Sequence, residues 1–219
     1  MRIMPWVLAI SIALLGYVYA GYPALIWLLA RVRGRPVRKG PFADGAAVLI
    51  AAHNEAETLP RKLENLLELA QTEPIREIWI GLDGCTDGTG AAVRERIQNS
   101  GFRIQNGRAK NLQPETCNLQ PATQIHFLEF ERCRGKAAVL NDLMAKAGQP
   151  IFLMMDARQR VEAGAISKLL ENFADPQVGA VSGALVYESA AGAAQKGAES
   201  YWGYEKFIRR CESRFWAVP

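Results

Sequence analysis

The segment AAVLIAAHNEAETLPRKLENLLELA, residues 46–70, decides the fold class of this 219-residue chain. Residues 46–52 form a continuous apolar run with the length of one buried strand. A polar turn follows, and the next apolar residues recur on one helical face: Leu59, Leu63, Leu66, Leu67 and Ala70. A buried strand followed directly by an amphipathic helix is typical of an α/β protein with a parallel sheet.

The same alternation continues along the chain. Further strands are predicted for REIWIGL (76–82), QIHFLEF (124–130), PIFLMM (150–155) and GAVSGALVY (179–187). Helical periodicity separates them, over residues 89–98, 139–147 and 166–173. These elements predict a mainly parallel sheet that is covered on both faces. Residues 101–123 show no period and are predicted to form a surface excursion.

The N-terminal segment predicts a membrane anchor. From Ile3 to Ala30 there is no charged residue, and about 20 helical residues are enough to cross a bilayer. The sequence RVRGRPVRK follows, and bases beside a membrane span favour a cytoplasmic location for the next domain. A cleaved signal peptide would have a shorter apolar region, with its bases before it. We therefore predict a single-pass transmembrane helix over residues 1–30 in the inner (cytoplasmic) membrane, a basic cytoplasmic linker over 31–43 and a cytoplasmic domain over 44–219.

Charge and cysteine content exclude several classes of protein. Arg2 and the five bases of residues 31–39 supply six of the 26 Lys and Arg residues, so the rest of the chain has 20 bases against 22 acids. A nucleic-acid-binding domain would need clustered positive charge of its own. The four cysteines form no CxxC pair and the chain has two histidines, so neither a zinc site nor a disulfide framework is indicated.

Polar residues follow each of the first four predicted strands. These strand ends read HNEAE, DGCTDGT, ERCRGK and DARQR. Because ligands bind beyond the carboxyl ends of the strands in open α/β sheets, we expect these four segments to form one pocket for a nucleotide or a diphosphate. The chain lacks the GxxxxGK[ST] motif of a Walker loop, and GTGAAV (88–93) lacks the third glycine of a dinucleotide-binding fingerprint.

Several ordered motifs resemble one known family. They are VLIAAHNEAETLPRKLENLLEL, IWIGLDGCTDGT, RGKAAVLNDLMAKAGQPIFLMMDAR, VGAVSGALVYES and YWGYEKFIRRCESRF. In order and spacing they resemble the first part of a membrane-bound family 2 glycosyltransferase, the group that contains cellulose-synthase-like and hyaluronan-synthase-like enzymes. The resemblance implies a GT-A fold with a Rossmann-like sheet, a nucleotide-sugar donor (usually a UDP-sugar) and inversion at the anomeric carbon. It also implies a divalent cation, Mg²⁺ or Mn²⁺, on the diphosphate, and a glycan or lipid-linked acceptor in polysaccharide or glycolipid synthesis.

The resemblance also implies a donor site. His53 would border the nucleotide and could stack on the base or ribose, and Asp83 would accept a hydrogen bond from the uracil ring. Lys136 would face the phosphates from a helix start, where backbone N–H groups already favour an anion. The full set that it implies is Ala52, His53, Glu55, Asp83, Lys136, Asp156 and Arg158.

Asp156 matches the first acid of the family's D-x-D motif, but Arg158 stands at its third position. Two accounts remain open. Asp156 alone could anchor Mg²⁺ or Mn²⁺, with phosphate and water as the other ligands, or the Arg158 guanidinium could pair directly with phosphate oxygens. We favour the first, a retained but weakened metal site at Asp156. In a third interpretation the two residues form only a surface ion pair.

The catalytic base is not among the predicted residues. In the family, this acid lies after the region that matches ESRF, and we find no equivalent motif between residue 186 and the end of the sequence. We therefore expect an incomplete domain without its acceptor half, whose site a further segment or a second chain would complete. A non-catalytic remnant that binds a nucleotide sugar or a protein partner is the main alternative. A nucleotidyltransferase would need a Gly-rich, basic loop after the first strand, and AAHNEAE is not one.

The last predicted helix carries an apolar stripe: Tyr201, Tyr204, Ile208, Cys211 and Phe215. We expect it to pack against the sheet. A helix that lies on the inner leaflet, in contact with membrane lipid, is the alternative.

Overall fold

A computed structural model of the chain describes residues 4–42, 44–99, 104–105, 115–118, 123–186 and 193–215. The chain forms two units, Pro41–Glu171 and the combination of Met1–Gly40 with Asn172–Pro219. The strands are β1 Ala46–Ala52, β2 Ile75–Asp83, β3 Ile104–Gln105, β4 Glu115–Asn118, β5 Gln124–Phe130 and β6 Ile151–Met155. The helices are α1 Met4–Gly16, α2 Tyr22–Arg33, α3 Thr58–Leu69, α4 Thr89–Asn99, α5 Lys136–Lys146, α6 Ala165–Leu170 and α7 Ala193–Phe215.

The sheet has the strand order β3-β4-β5-β2-β1-β6. Its four strands β5, β2, β1 and β6 are parallel, as the sequence predicts. Strand β4 pairs antiparallel with β5, and β3 pairs antiparallel with β4. The carboxyl ends of the four parallel strands therefore lie along one edge of the sheet. Among the described strands, β6 pairs with β1 alone, and its Met154 side chain is 56% exposed.

Both faces of the central strands are buried. On one face of β1, Ala47 and Leu49 pack in a cluster with Val139 and Leu143 of α5. The alternate residues of β1, Val48 and Ile50, are also fully buried, so the other face is covered as well. This double burial explains why these strands are continuous apolar runs instead of alternating patterns.

Helix α5 approaches β2 very closely at Gly81. A Cβ atom at position 81 would lie 2.3 Å from Cγ1 of Val139, so this packing requires glycine. The close approach fixes the start of α5, and with it Lys136, above the carboxyl end of the sheet.

Two predictions about strands are wrong. Residues 179–186, the described part of the predicted strand 179–187, form no strand, and they are partly or fully exposed. An apolar sequence pattern alone does not place a segment in a sheet, because the segment must also bury at least one face against its neighbours. Conversely, the predicted surface excursion contributes β3 and β4, whose lengths of two and four residues are too short to give a periodic signal.

In the second unit, α1 and α2 form one helix, Pro5–Arg33, that contains a π-helical turn at Tyr17–Gly21. By length and composition this helix could cross a membrane. Among the described residues, no other helix is long and apolar enough to do so. Most of its apolar side chains are exposed, among them Trp6 at 72%. The helix that the sequence predicts is thus present, and its outward apolar surface suits a lipid environment.

Helix α7 contacts α2. The Tyr22 hydroxyl donates a hydrogen bond to the Glu212 carboxylate, and the Tyr204 hydroxyl donates to the carbonyl oxygen of Tyr19 at 2.9 Å. Cys211, within the predicted apolar stripe, is buried. We expected this helix to pack against the sheet; its hydrogen bonds instead go to the segment that contains α2.

Candidate functional site

A closed ring of hydrogen bonds joins the four strand ends. After β1, the His53 Nδ1–H group donates to the carbonyl oxygen of Asp83, at the end of β2, over 2.5 Å. The Asp83 carboxylate accepts hydrogen bonds from the loop between β5 and α5. The first residue of α5, Lys136, forms an ion pair with Asp156 after β6. Arg158 closes the ring through an ion pair with Glu55, with Nε and Oε1 2.8 Å apart.

We call these residues the strand-end ring: His53, Glu55, Asp83, Arg134, Gly135, Lys136, Asp156 and Arg158. The geometry brings together six of the seven predicted site residues by side-chain contacts. The seventh, Ala52, is buried, and its carbonyl oxygen accepts a hydrogen bond from the Cys85 thiol. Its contribution to the site is therefore its backbone. That these residues bind a nucleotide sugar stays a prediction.

Further hydrogen bonds fix the loop after β1. Asn54 has a positive φ of 54°, and its Oδ1 accepts a hydrogen bond from the Thr86 N–H at 2.9 Å. The Glu55 N–H donates to Thr89 Oγ1 at 2.9 Å, and the Ala56 N–H donates to Asp87 Oδ2 at 3.1 Å. Because Glu55 is held by its backbone, its carboxylate has a defined direction from which to contact Arg158. These supporting residues are not among those predicted from the sequence, although Asp and Thr in a turn are a common signal for such contacts.

Asp83 is the most deeply placed acid of the ring. Its side chain is only 3% exposed, and its carboxylate accepts hydrogen bonds from the N–H groups of Arg134 (2.7 Å) and Gly135 (2.8 Å) and from the Cys133 thiol (3.3 Å). Burial opposes its ionisation, but these hydrogen bonds and the charge of His53 outweigh burial, so the pKa of Asp83 lies below its usual value. Asp83 therefore holds the loop that leads into Lys136.

Two cations of the ring are accessible. The side chains of Lys136 and Asp156 are about half-exposed, and that of Arg158 is 75% exposed, whereas its partner Glu55 is 15% exposed. Glu55 thus lies closer to the protein, and the Arg158 guanidinium group lies further out. A ligand that approaches the carboxyl edge of the sheet can reach both cations.

Lys62, on α3, is a buried cation that the sequence analysis missed. Its side chain is 3% exposed, and Nζ donates to the carbonyl oxygen of Gln159 at 2.8 Å. Burial lowers the pKa of Lys62 to about 8, against the opposing influence of the nearby Asp156 carboxylate. A signal was present, since position 62 is three residues after Leu59 and four before Leu66, on the buried face of the helix.

Helix α3 supports the loop after β6. Beside the Lys62 contact, Asn65 donates to the carbonyl oxygen of Val161 (3.1 Å) and accepts from its N–H group (2.9 Å). A cavity of about 460 Å³ lies between this helix and residues 157–160, and Arg61, Lys62, Arg158 and Arg160 contribute to its lining. The loop that carries Asp156 and Arg158 is therefore anchored to a rigid helix in a positively charged environment.

The replacement Lys62→Met is expected to change how stability depends on pH. The ordinary pKa of 10.5 is lowered to about 8 in the folded chain. Between these values the unfolded chain binds a proton that the folded chain has released, so rising pH favours folding. Relative to the variant, the wild type should gain up to about 3 kcal/mol of unfolding free energy across this range.

Urea denaturation of both proteins in one detergent, at about pH 7.5 and about pH 10, measures this difference. Lys146→Met, which removes an exposed lysine of α5, is the matched control for the loss of one positive charge. A difference between wild type and Lys62→Met that stays constant with pH contradicts the prediction.

Comparisons with known proteins show what this chain is similar to. Residues 47–114 match the model of glycosyl transferase family 2. Two curated relatives are poly-beta-1,6-N-acetyl-D-glucosamine synthases. The Staphylococcus aureus (strain COL) protein is 29% identical over 141 residues, which cover 64% of this chain and 28% of that protein. The Staphylococcus epidermidis protein is 25% identical over 178 residues, which cover 75% and 37%.

A solved structure has a similar fold. A mannosyltransferase from Pyrobaculum calidifontis, in complex with GDP-Man and Mn²⁺, superposes with a TM-score of 0.62 at 24% identity, over 94% of this chain and 51% of that one. The fold and the strand-end ring thus define an α/β protein of the GT-A type. Residues 47–114 thus resemble a glycosyl transferase family 2 domain, and the chain is similar to part of the poly-beta-1,6-N-acetyl-D-glucosamine synthases. It spans 28% to 37% of the length of these two curated relatives.

GT-A enzymes usually use a divalent cation, but the donor set at Asp156 does not fit one. Such ions take oxygen ligands, often one or two carboxylates with phosphates. Here Lys136 contacts the Asp156 carboxylate, Arg158 occupies the other D-x-D position, and Lys62 lies nearby. In the described part of the chain, no group of three or more His, Cys, Asp or Glu side chains could hold a metal ion. The predicted cation at Asp156 has no support from these neighbours.

Proposed function

We propose that the chain is the donor-binding part of an inverting family 2 glycosyltransferase. It would bind a nucleotide sugar, most simply a UDP-sugar, at the strand-end ring and transfer the sugar to a glycan or lipid-linked acceptor. The observation that carries this proposal is the ring itself. It joins four parallel strand ends and presents the cations Lys136 and Arg158 at the edge where α/β sheets bind their ligands.

Each ring residue would have a defined task. Lys136 and Arg158 would pair with diphosphate oxygens and stabilise the negative charge that grows on the departing nucleoside diphosphate. His53, which is exposed beside the end of β1, would stack on the base or ribose. The Asp83 carboxylate already accepts three hydrogen bonds, and a carboxylate has roughly four acceptor sites. Its remaining site would accept the hydrogen bond from the uracil ring.

The transfer step needs a group that we do not identify in this chain. The bond between the anomeric carbon and the phosphate oxygen breaks, and its electron pair leaves with the nucleoside diphosphate. The acceptor hydroxyl oxygen forms the new bond and gives its proton to a carboxylate base, which must come within about 3 Å. We propose that a further segment or a second chain supplies this base and the acceptor surface.

The membrane location is part of the same proposal. The apolar helix Pro5–Arg33 would anchor the chain in the inner membrane, in contact with lipid, with the sheet on the cytoplasmic side. This location suits polysaccharide synthesis from cytoplasmic nucleotide sugars, and the curated relatives are named as synthases of such a polymer. No nucleic-acid partner is proposed.

Measuring donor binding separately from sugar transfer tests the function. Calorimetric titration of the full chain in detergent with UDP-N-acetylglucosamine and with GDP-mannose should give saturable binding of one of them, and UDP or GDP should compete. Release of the nucleoside diphosphate in the presence of a glycan acceptor measures transfer. Binding without transfer, even in the longest natural form of the protein, would favour the non-catalytic alternative. Absence of binding by both donors would overturn the proposal.

A further inference from the structure

Two ion pairs face the end of β6, and each joins a cation of the proposed donor site to an acid. Lys136 pairs with Asp156, and Arg158 pairs with Glu55. In a metal-dependent site, the acid at the position of Asp156 would direct its oxygens to the ion. In this chain the carboxylate contacts a lysine instead.

The charge balance around these pairs is already positive. Lys62, Lys136 and Arg158 stand against Glu55 and Asp156, which leaves one positive charge when all five are ionised. A divalent cation would add two more charges beside groups that already repel it. A diphosphate, in contrast, brings the negative charge that this set lacks.

Arg158 can bind phosphate without leaving Glu55. Its ion pair uses Nε, whereas the two Nη groups belong to a side chain that is 75% exposed and can still donate. Glu55 is in turn held by its backbone hydrogen bond to Thr89 and by the Thr58 hydroxyl, which donates to its other carboxylate oxygen. Glu55 therefore fixes the orientation of the Arg158 guanidinium group. A planar group needs such a fixed orientation to bind two phosphate oxygens.

We propose that the strand-end ring binds the diphosphate of a nucleotide sugar without a divalent cation, with Lys136 and Arg158 as the phosphate ligands and with Asp156 and Glu55 as positioning residues for these two cations. This inference rests on the proposed function and departs from the metal-dependent site that the D-x-D resemblance implies. Arg158 occupies the third position of that motif, and its charge takes the place of the ion. Lys62 holds the same loop through the Gln159 carbonyl oxygen.

The test uses UDP as the probe and the full chain in detergent. Calorimetric titration in excess EDTA and in excess MnCl₂ should give dissociation constants that agree to within about threefold. Lys136→Gln and Arg158→Gln should each weaken UDP binding by about 10- to 100-fold, because each removes a charged hydrogen bond. Asp156→Asn should bind UDP equally well in EDTA and in MnCl₂, to within about threefold, because Asp156 positions Lys136 and holds no metal.

Arg96→Gln is the matched control. It removes an arginine that pairs with Glu64 between α4 and α3, with the same change in charge, and should leave UDP binding unchanged. Thermal melting of each variant confirms that the fold is intact before binding is compared.

The outcomes separate the inference from the proposed function. UDP binding that EDTA abolishes and Mn²⁺ restores in the wild type overturns the inference and leaves the proposed function in place, and loss of this Mn²⁺ response in Asp156→Asn would place the ion at that carboxylate. If UDP, UDP-N-acetylglucosamine and GDP-mannose fail to bind in both solutions, the proposed function and the inference fall together.

Discussion

Asp83→Ala is expected to abolish measurable UDP binding and to destabilise the protein. The change removes the shared acceptor of the Arg134 and Gly135 N–H groups and the Cys133 thiol. The loop residues that carry these donors are exposed, so water can satisfy part of the lost hydrogen bonding, and the loss of unfolding free energy should be about 1–3 kcal/mol. The loop would then no longer hold Lys136, at the start of α5, in position against the phosphates.

Calorimetry with UDP and urea denaturation measure the two effects. Asp83→Asn is the second variant to compare. Its side chain has the same shape as aspartate, but its amide N–H₂ group would face the backbone N–H of Arg134 or Gly135, which needs an acceptor. It should fold and still lose at least about tenfold in affinity, the equivalent of about 1.4 kcal/mol. Hydrogen exchange of residues 131–136 should increase in both variants. Wild-type affinity in Asp83→Ala would show that the loop does not depend on this carboxylate.

The depressed pKa of Asp83 adds a dependence on pH. The carboxylate stabilises the fold fully above the pKa of an unfolded aspartate, about 4. This contribution is lost as the pH falls through the lower pKa of the folded state. Wild type should therefore lose more stability in acid than Asp83→Asn does.

Glu77→Ala is expected to cost about 3–5 kcal/mol of unfolding free energy while UDP affinity stays unchanged. Glu77 is buried near the start of β2, at the opposite end of the sheet from the strand-end ring. It accepts hydrogen bonds from Trp79 Nε1 (2.6 Å), Gln149 Nε2 (2.9 Å) and the Gly148 N–H (3.1 Å). Burial alone would raise the pKa of Glu77, but these hydrogen bonds outweigh burial and lower it.

Urea denaturation followed by tryptophan fluorescence measures the loss, and UDP titration at a temperature where the variant is folded measures affinity. Glu77→Gln keeps one acceptor oxygen and should lose about half as much stability, near 2 kcal/mol. A loss below about 1 kcal/mol in Glu77→Ala would mean that water replaces the carboxylate at little cost. Reduced UDP affinity would show that the two ends of the sheet are coupled.

The sequence predicted the central strands β1 and β2 because both of their faces are buried. Val48, Ile50, Ile78 and Ile80 have no exposed face, so their segments are unbroken apolar runs. The same rule failed for residues 179–187, where an apolar run of similar composition lacks a strand in its described part. Composition alone cannot distinguish these cases, because the difference lies in whether neighbouring elements cover the segment.

The candidate site was predictable in its location and not in its connections. His53, Asp83, Lys136 and Asp156 follow consecutive strands, so the topology of a parallel sheet brings them to one edge. The ion pair between Arg158 and Glu55 joins residues 103 positions apart, and no local pattern indicates it. The sequence shows Arg158 at the third D-x-D position and so raises the question of a metal ion. The contacts of Arg158 and Asp156, on which the answer depends, are visible only in the structure.

The outer strand β6 has a practical consequence for anyone who purifies this protein. One side of β6 has no described strand beside it, so its backbone N–H and C=O groups form a template onto which another molecule can add a strand. Detergent covers the apolar N-terminal helix, but it does not form hydrogen bonds with the backbone amide groups of an edge strand. Concentrated samples are therefore expected to aggregate through pairing of β6 edges, and additional detergent is not expected to prevent this aggregation.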